Sequence, residues 1–271
     1  MLEFEKMLDA GVHFGHLKRK WNPKMAPYIF TEHNGMHIID LHKTAAKAEE
    51  AAAALKQIAK SGKQILFVAT KMQAKDVVSS IVKETNMPYV TERWPGGMLT
   101  NFGTIRKAVK KMGSLEKLLN AKENNSISKR ERLQITREKA KLEKNLGSIA
   151  SLTRLPAALF IVDINKEHIA VAEAKRLNIP TFAIVDTNCN PDLIDFPVPG
   201  NDDASKSISV IVEYMCSAIE EGLQERKLDK DAQAEAQAKD AKAEGKEETA
   251  EDKAVKRRPR KTVSKKTSDN E

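Results

Sequence analysis

Three short apolar runs mark the interior of this chain. They span residues 65–69, 158–162 and 181–185, and none of them alternates with polar residues. Strands covered on both faces of a parallel sheet are expected to read in this way. Residues 37–40 and 88–90 are weaker strand candidates. The pattern predicts a sheet with both faces buried.

Helical patterns separate these runs. Apolar and alanine positions recur at helical spacing over residues 44–59, 74–83 and 168–177, and a last helix is predicted over 204–223. Alternating strands and helices are typical of an open sheet with right-handed crossovers. We therefore predict an α/β fold, a parallel sheet flanked by helices.

Residues 104–147 interrupt this alternation. One apolar stripe contains Ile105, Val109, Met112 and Leu119, and a second contains Ile135, Leu142, Leu146 and Ile149. Both stripes are near heptad spacing, and a polar turn at 120–128 lies between them, which predicts a projecting helical hairpin. Two ordinary packed helices with solvated outer faces are the alternative.

The last part of the chain has a different composition. From residue 225 to 271 it consists mainly of Ala, Glu, Lys, Asp and Gln, with almost no large apolar residue. Such a segment cannot bury enough surface to offset chain entropy, so it is predicted to be disordered or transiently helical. The expected domains are an α/β domain at 1–103 and 148–224, an inserted hairpin at 104–147 and a charged tail at 225–271.

Positive charge is concentrated in the segments outside the predicted α/β domain. The formal net charge is +8, and residues 104–147 carry 13 Lys/Arg against 5 Asp/Glu. Residues 256–266 carry seven cations and no anion. A nearly neutral body with basic appendages fits a polyanionic partner. The basic run at 256–261 would contact RNA non-specifically or simply keep the tail soluble; both readings remain open.

Cysteine usage and hydropathy restrict the compartment. The two cysteines form no pairing pattern, which favours a reducing compartment. The N-terminus does not read as a signal peptide, and no apolar stretch approaches the ~20 residues that a membrane span needs. We expect a soluble cytoplasmic protein.

Residues 11–28, hereafter the N-terminal segment, carry the first candidate chemistry. Lys18, Arg19, Lys20 and Lys24 surround Trp21, and two glycines and two prolines oppose regular helix or strand. Cations suited to phosphates beside a ring suited to a base indicate nucleic acid, and structured RNA in particular. A surface loop whose aromatic ring packs inward is the alternative.

Residues 93–101, hereafter the second loop, repeat this chemistry. They contain a cation, an indole and a glycine pair. The glycines would let the backbone approach another molecule, and two polar side chains would reach phosphate or ribose. A sharp turn that launches the hairpin is the alternative. The candidates are Arg93, Trp94, Gly96, Gly97, Thr100, Asn101 and, on the hairpin's first turn, Arg106.

The usual signals of a nucleotide enzyme are missing. No glycine follows the strand at 65–69, no phosphate-binding loop is evident, and no Ser/His/Asp spacing stands out. We expect no enzymatic activity and no required cofactor. Acidic residues near the ends of the late strands are expected to cap helices. The alternative is a divalent metal ion shared by these acids with His13 or His16, the candidate ligands being His16, Asp186, Asp202 and Asp203.

Several long motifs in register resemble one known family. Residues 10–16 read Ala-Gly-Val-His-Phe-Gly-His, 21–25 read Trp-Asn-Pro-Lys-Met, and 199–203 read Pro-Gly-Asn-Asp-Asp. Residues 28–30, 34–41, 93–94, 96–97, 99–102, 142–147, 166–170 and 184–188 match as well, whereas Pro95 and Met98 depart from the family pattern. Over about residues 2–224 the chain resembles the bacterial small-subunit ribosomal protein S-two family; the tail lies outside the pattern.

The resemblance implies a fold and a role. The fold is a flavodoxin-like parallel sheet with an inserted α-helical coiled-coil hairpin. The role is that of a structural protein that binds small-subunit rRNA between head and body, supports translation and helps dock the large mRNA-binding ribosomal protein. Implied partners are this rRNA and neighbouring small-subunit proteins, with no membrane and no homo-oligomer. The implied rRNA contacts are Lys18, Arg19, Trp21, Asn22, Lys24, Arg93, Trp94, Gly96, Gly97, Thr100, Asn101 and Arg106.

Two other classes of protein stay open at this stage. One is a nucleotide-binding α/β enzyme that lacks the glycine fingerprint, which tight nucleotide retention would reveal. The other is an interaction scaffold whose hairpin and tail bind a protein, which ribonuclease-resistant association would reveal.

Overall fold

The computed structural model describes the backbone of residues 2–120 and 128–255, with side chains in those ranges up to 231 and without that of Asn120. The helices are α1 (Phe4–Asp9), α2 (Leu41–Lys60), α3 (Met72–Glu84), α4 (Phe102–Asn120), α5 (Lys129–Leu146), α6 (His168–Arg176) and α7 (Ser205–Val255). The strands are β1 (Phe14–Leu17), β2 (Ile29–His33), β3 (Met36–Ile39), β4 (Ile65–Val68), β5 (Tyr89–Val90), β6 (Ala158–Val162), β7 (Thr181–Val185) and β8 (Phe196–Pro199).

The five later strands form one parallel sheet. Their order is β5-β4-β6-β7-β8, and every neighbouring pair is parallel. Counted within this sheet, the order is 2-1-3-4-5, which is the flavodoxin-like arrangement. The predicted α/β fold is confirmed.

Helices cover both faces of this sheet, so alternate strand residues enter two separate cores. Ile65 and Phe67 of β4 pack in the cluster formed with α2, α3 and α7. Leu66 and Val68 pack in the opposite cluster, with the second loop and α6. Burial on both faces explains why these strands read as continuous apolar runs.

A second, three-stranded sheet precedes the parallel one and corrects one expectation. β1, β3 and β2 pair antiparallel, so residues 37–39 belong to this sheet and not to the parallel one, and Asp40 caps the start of α2. The N-terminal segment contains β1 and two 3₁₀ turns, Lys18–Lys20 and Pro23–Tyr28, where the glycines and prolines opposed regular structure. Prolines are tolerated here because they sit in short turns between the strands.

Strand β8 was also missed by the sequence pattern. It contains two prolines, Pro197 and Pro199, and lies at the edge of the parallel sheet. Proline cannot donate to a ladder, and an edge strand has one side on which no donor is needed.

The inserted helices α4 and α5 lie where the hairpin was predicted. They pack against each other and are joined by ion pairs between Lys111 and Glu138 and between Lys139 and Glu116. A capping box of Ser128 and Glu131 begins α5. The predicted turn at 120–128 falls mostly outside the described residues, and supercoiling of the two helices stays a prediction.

The end of the chain is helical in the residues that the structure describes, and its disorder or transient helicity stays a prediction. Helix α7 continues to Val255, where a disordered or transiently helical tail was predicted from 225. Ala, Glu, Lys and Gln are strong helix formers, so the composition that precludes a core still favours helix. The chain divides into two compact units, 1–226 and 227–271. The basic run at 256–261 lies outside the described residues. Among the described helices, none is both long and apolar enough to cross a membrane.

Candidate nucleic-acid interface

The carboxyl ends of the parallel strands gather the charged side chains of the site. Lys71 follows β4, Asp163 follows β6, Asp186 follows β7 and Asp202 follows β8. All four side chains are buried or nearly so. Ligands of open α/β sheets bind at this edge, which makes it the natural place to look for function.

The N-terminal segment is fastened to this edge by hydrogen bonds. The backbone N–H of His16 donates to Asp186 Oδ1 (3.2 Å) and to Thr187 Oγ1 (2.9 Å). The N–H of Asn22 donates to the Thr187 carbonyl (2.8 Å). A Cβ at Gly15 would lie 2.7 Å from Thr187 Cγ2, so the strand approaches this closely only with glycine.

The cations of the N-terminal segment point to solvent. Lys18, Arg19, Lys20 and Lys24 are all exposed. Lys18 pairs with Glu32 at 2.7 Å and Lys24 pairs with Asp192, and both pairs are solvent-exposed. Exposed ion pairs of this kind contribute about 0–1 kcal/mol, so these cations can exchange a carboxylate for a phosphate at small cost.

Trp21 is partly open beside these cations. Its side chain is 37% exposed, and its ring centroid lies 5.1 Å from that of buried His37. One side of the indole is thus held by the fold while part of the ring remains available. Asn22 is half-buried, and its side chain accepts a hydrogen bond from the N–H of Lys24 (3.0 Å).

The second loop is organised around a buried carboxylate. Glu173 on α6 accepts hydrogen bonds from the N–H groups of Gly97 (2.7 Å), Leu99 (2.9 Å) and Thr100 (3.0 Å). It also accepts from the Thr100 hydroxyl (3.1 Å) and from Trp94 Nε1 (3.2 Å). The loop therefore closes on an anion of its own chain.

The electrostatics of Glu173 follow from these contacts. Burial raises the pKa of a carboxyl group, but the N–H groups of Thr100, Leu99 and Gly97 and the Trp94 indole outweigh burial and lower the pKa of Glu173. Hydrogen bonds to the ionised form act in this direction. Glu173 is therefore ionised and balances the loop's converging donors.

Three candidates of the second loop have partners within the protein. Trp94 is 6% exposed and packs in the hydrophobic core, so its ring has no open face for a base or sugar. The donors of Gly97 and Thr100 expected to reach RNA are bonded to Glu173. These internal contacts favour the alternative, a turn that launches the hairpin, and direct RNA contact by these residues stays a prediction.

The remaining candidates fall into two groups, those bonded within the protein and those exposed at its surface. Asn101 Oδ1 accepts from the Thr104 hydroxyl (2.9 Å) at the start of α4, and Arg106 Nη1 donates to the Leu152 carbonyl (2.8 Å). Arg93 and Gly96 are exposed, and a Cβ at Gly96 would meet nothing within 4 Å. Of this loop, Arg93 is the candidate with charge available at the surface.

The predicted metal ligands do come together. His16 Nδ1 lies 2.7 Å from Asp186 Oδ2, and His16 Nε2 lies 3.4 Å from Asp203 Oδ2. Lys71 Nζ lies 2.8 Å from Asp202 Oδ1 and 2.7 Å from Asp203 Oδ1. The hydrogen bond to Asp186, although opposed by burial, raises the pKa of His16. Burial, reinforced by nearby Asp186 and Asp163, raises the pKa of Asp202 to about 7.

Two residues of the site were missed from the sequence. Glu173 lies on the same helical face as Ala170 and Ala174, where a charged residue interrupts an apolar stripe and could have signalled a buried acceptor. Lys71 was read as part of a loop lacking glycine, and nothing in the local pattern indicates that it faces three carboxylates.

Taken together, the fold and the site define an α/β protein that presents exposed cations beside the carboxyl edge of its parallel sheet. Residues 7–222 match the family model described as ribosomal protein S2. The chain belongs to the ribosomal protein S2 family, a family of structural proteins and not of enzymes.

Individual relatives agree with this assignment. A small ribosomal subunit protein uS2 of Phocaeicola vulgatus is 68% identical over 227 residues, covering 84% of this chain and 81% of the relative. The protein of the same name in Flavobacterium johnsoniae is 61% identical over 237 residues, covering 88% of this chain and 93% of the relative.

Proposed function

We propose that this structural constituent of the small ribosomal subunit binds small-subunit rRNA between the head and the body through the exposed face of its N-terminal segment. The observation that carries the proposal is the juxtaposition of exposed cations with the half-open ring of Trp21. The family's relatives, named as small-subunit proteins, support this choice of RNA. The protein would act in the cytoplasm, where it supports translation.

The candidate residues would act in two ways, some by touching the RNA and others by holding the loops in shape. Lys18, Arg19, Lys24 and Arg93 would meet phosphates, and Trp21 would pack against a sugar or base. Asn22, Trp94, Gly97, Thr100, Asn101 and Arg106 would act indirectly, because they hold the two loops in shape. Gly96 would allow close approach of the backbone.

A salt titration tests the phosphate contacts. In a Lys18→Ala, Arg19→Ala double variant we expect weaker binding to small-subunit rRNA at every salt concentration. The slope of log K against log salt should flatten by about 1.5, because roughly 0.7–0.9 is lost per phosphate contact. The measurement is rRNA binding by filter retention from 50 to 200 mM salt.

The matched control is a Lys63→Ala, Lys83→Ala double variant. It removes the same charge from exposed positions, just before β4 and at the end of α3, away from the carboxyl edge. Equal slopes for the two double variants would contradict the proposal, because the effect would then reflect net charge alone.

We propose further that an apolar patch on unit 1 helps dock the large mRNA-binding ribosomal protein. Phe4 is 46%, Leu8 47% and Phe30 75% exposed, and all three line one pocket with His13 and Leu41. Contiguous exposed apolar surface rimmed by polar groups is typical of protein interfaces. The resemblance to the S-two family supplies the identity of the partner.

Replacing Phe30 with serine tests this docking role. We expect Phe30→Ser to enter small subunits normally, since the side chain is mostly in solvent, and to lower the amount of mRNA-binding protein that co-sediments with them. Met72→Ser is the control, because Met72 is 84% exposed on α3. Full recovery of the mRNA-binding protein with Phe30→Ser would rule out the patch.

A further inference from the structure

A buried histidine in the antiparallel sheet lacks a bonding partner. His37 on β3 is 6% exposed, and neither its Nδ1 nor its Nε2 has a hydrogen-bond partner within the described part of the chain. Most buried polar groups in proteins are hydrogen-bonded, because burial removes their bonds to water and this loss costs free energy. Two unsatisfied nitrogens on one ring therefore need an explanation.

Trp21 covers this histidine on the side of the N-terminal segment. The ring centroids of the two residues lie 5.1 Å apart, and the rings are inclined by 41°. Trp21 is 37% exposed, so it is the member of the pair that faces solvent. It lies between the 3₁₀ turns Lys18–Lys20 and Pro23–Tyr28, outside any helix or strand. Outward rotation of the indole would open the nitrogens of His37 to a ligand.

The rim around these two rings is charged. His37 lies directly opposite Glu32 in the β2–β3 pair, and residues placed in this way share one face of a sheet. Glu32 pairs with Lys18 at 2.7 Å, and both side chains are exposed. The N–H of Trp21 donates to the Lys18 carbonyl (3.3 Å), which links the indole to this cation through the backbone. A phosphate that displaces Glu32 from Lys18 would therefore bring its own nucleotide to Trp21 and His37.

The chemistry of an imidazole selects among the groups of a nucleotide. A neutral imidazole carries one N–H donor and one acceptor nitrogen. A phosphate oxygen only accepts a hydrogen bond, whereas a ribose 2′-hydroxyl both donates and accepts, so it can bond either nitrogen of the ring. The 2′-hydroxyl is also the group by which a protein distinguishes RNA from DNA.

We propose that His37 binds a ribose 2′-hydroxyl of the rRNA, which reaches the imidazole when Trp21 turns outward to pack on the same sugar. His37 would make the N-terminal segment selective for RNA over other polyanions. The exposed lysines and arginines do not supply this selectivity, because phosphate groups are common to RNA and DNA. The contact rests on the proposed rRNA binding by this segment and adds a residue that its exposed face lacks.

Replacing His37 with phenylalanine separates RNA binding from stability. Phenylalanine keeps an aromatic ring but removes both nitrogens, and the loss of unsatisfied polar atoms from a buried site is nearly neutral or stabilising. We expect His37→Phe to unfold at the Tm of the parent or above it, and to bind small-subunit rRNA roughly 3–10-fold more weakly. A histidine with a purely structural role would not give this combination.

His42→Phe is the matched control. His42 is exposed and also stacks on an aromatic ring, that of Phe4 at 5.2 Å, but it lines the apolar patch together with Ile38. Successive side chains of a strand point to opposite faces, so Ile38 and His37 lie on different faces of β3. The same substitution at His42 should therefore leave the affinity for rRNA unchanged.

Interference by 2′-deoxynucleotides locates the hydroxyl. The full-length chain is mixed with small-subunit rRNA transcripts that carry 2′-deoxynucleotides at random positions, and bound RNA is separated from unbound RNA. With the parent chain, we expect positions at which the missing hydroxyl weakens binding by roughly 3–10-fold. At one of these positions His37→Phe should bind the ribo and deoxy forms equally. His37→Ala removes the same nitrogens and gives the same comparison if His37→Phe does not fold.

Two results would overturn the role of His37 alone. One is an rRNA affinity of His37→Phe equal to that of the parent, which would mean that buried water satisfies the two nitrogens. The other is an interference pattern that neither variant of His37 changes, which would assign the 2′-hydroxyl contacts to other residues. Absence of rRNA binding by the parent chain would reject the proposed function together with this contact, so the two failures are distinguishable.

Discussion

Glu173 shows how one side chain changes the meaning of a motif. A cation, an indole and a glycine pair indicated a surface offered to RNA, yet most donors of that loop bind this carboxylate. Local sequence reveals which groups a loop carries, but not which of them another element satisfies. The same limit applies to Lys71, whose carboxylate partners are 92 to 132 residues away. At residue scale, exposed cations were predictable from sequence, whereas internal bonding of polar groups was not.

Replacing Glu173 with glutamine should destabilise the protein in a pH-dependent way. At pH 7 we expect a loss of about 3 kcal/mol or more, because several charge-assisted hydrogen bonds disappear and an amide N–H₂ faces N–H donors. The pKa of Glu173 is lowered in the folded state, so its stabilising contribution exists above the unfolded value of 4.5 and is lost as pH falls through the folded value. The stability difference between the two proteins should therefore begin to narrow below pH 4.5 and close once the pH is below the lowered pKa of folded Glu173.

Urea unfolding between pH 3 and pH 7 measures this difference. The control is Glu213→Gln, an exposed position on α7, which should stay within about 0.5 kcal/mol of the parent. A constant gap between parent and Glu173→Gln across the whole pH range would show that shape, and not charge, holds the loop.

At the scale of elements, predictability follows burial. β4, β6 and β7 are fully buried and were found from their apolar runs. β1 and β2 are largely exposed, and β8 lies at an edge and contains two prolines, so none of them carries a strong pattern. The partner of a short exposed strand is decided by tertiary pairing. The packing of α7 against α2, in contrast, depends on a glycine at the contact between the two helices.

Gly222 of α7 packs directly against α2, where a side chain would not fit. A Cβ there would lie 2.5 Å from the Lys56 carbonyl oxygen and 3.1 Å from Ala59 Cβ. We expect Gly222→Ala to lower the free energy of unfolding by about 1–3 kcal/mol, because the helices must separate. Gly113→Ala in α4 is the matched control: nothing lies within 4 Å of its Cβ, so it should gain about 0.5–1 kcal/mol from helix propensity. Thermal unfolding of both variants gives the comparison, and equal effects would contradict this account of the α2–α7 contact.

At the scale of the whole molecule, charge and fold are segregated. The parallel sheet and its helices are nearly neutral, while 13 of the 46 Lys/Arg residues fall within residues 104–147. The count locates the basic excess, and the apolar runs locate the core, so fold class and general partner chemistry were both accessible from sequence. The sequence does not predict how the N-terminal segment attaches to the carboxyl edge of the parallel sheet, because this attachment consists of contacts between distant parts of the chain.

The attachment of the N-terminal segment to the sheet has a consequence for the order of folding during synthesis. The bonds from the N-terminal segment to Asp186, Thr187 and Asn201 span 170, 171 and 190 residues. At 5–20 residues per second, these partners are synthesised roughly 10 to 40 s after the residues that need them. Closure of so long a loop also costs entropy before any contact repays it. The N-terminal segment of the nascent chain therefore emerges before the residues that hold its conformation. A chain interrupted before residue 186 would carry the cations that attract RNA but not the conformation that binds it selectively.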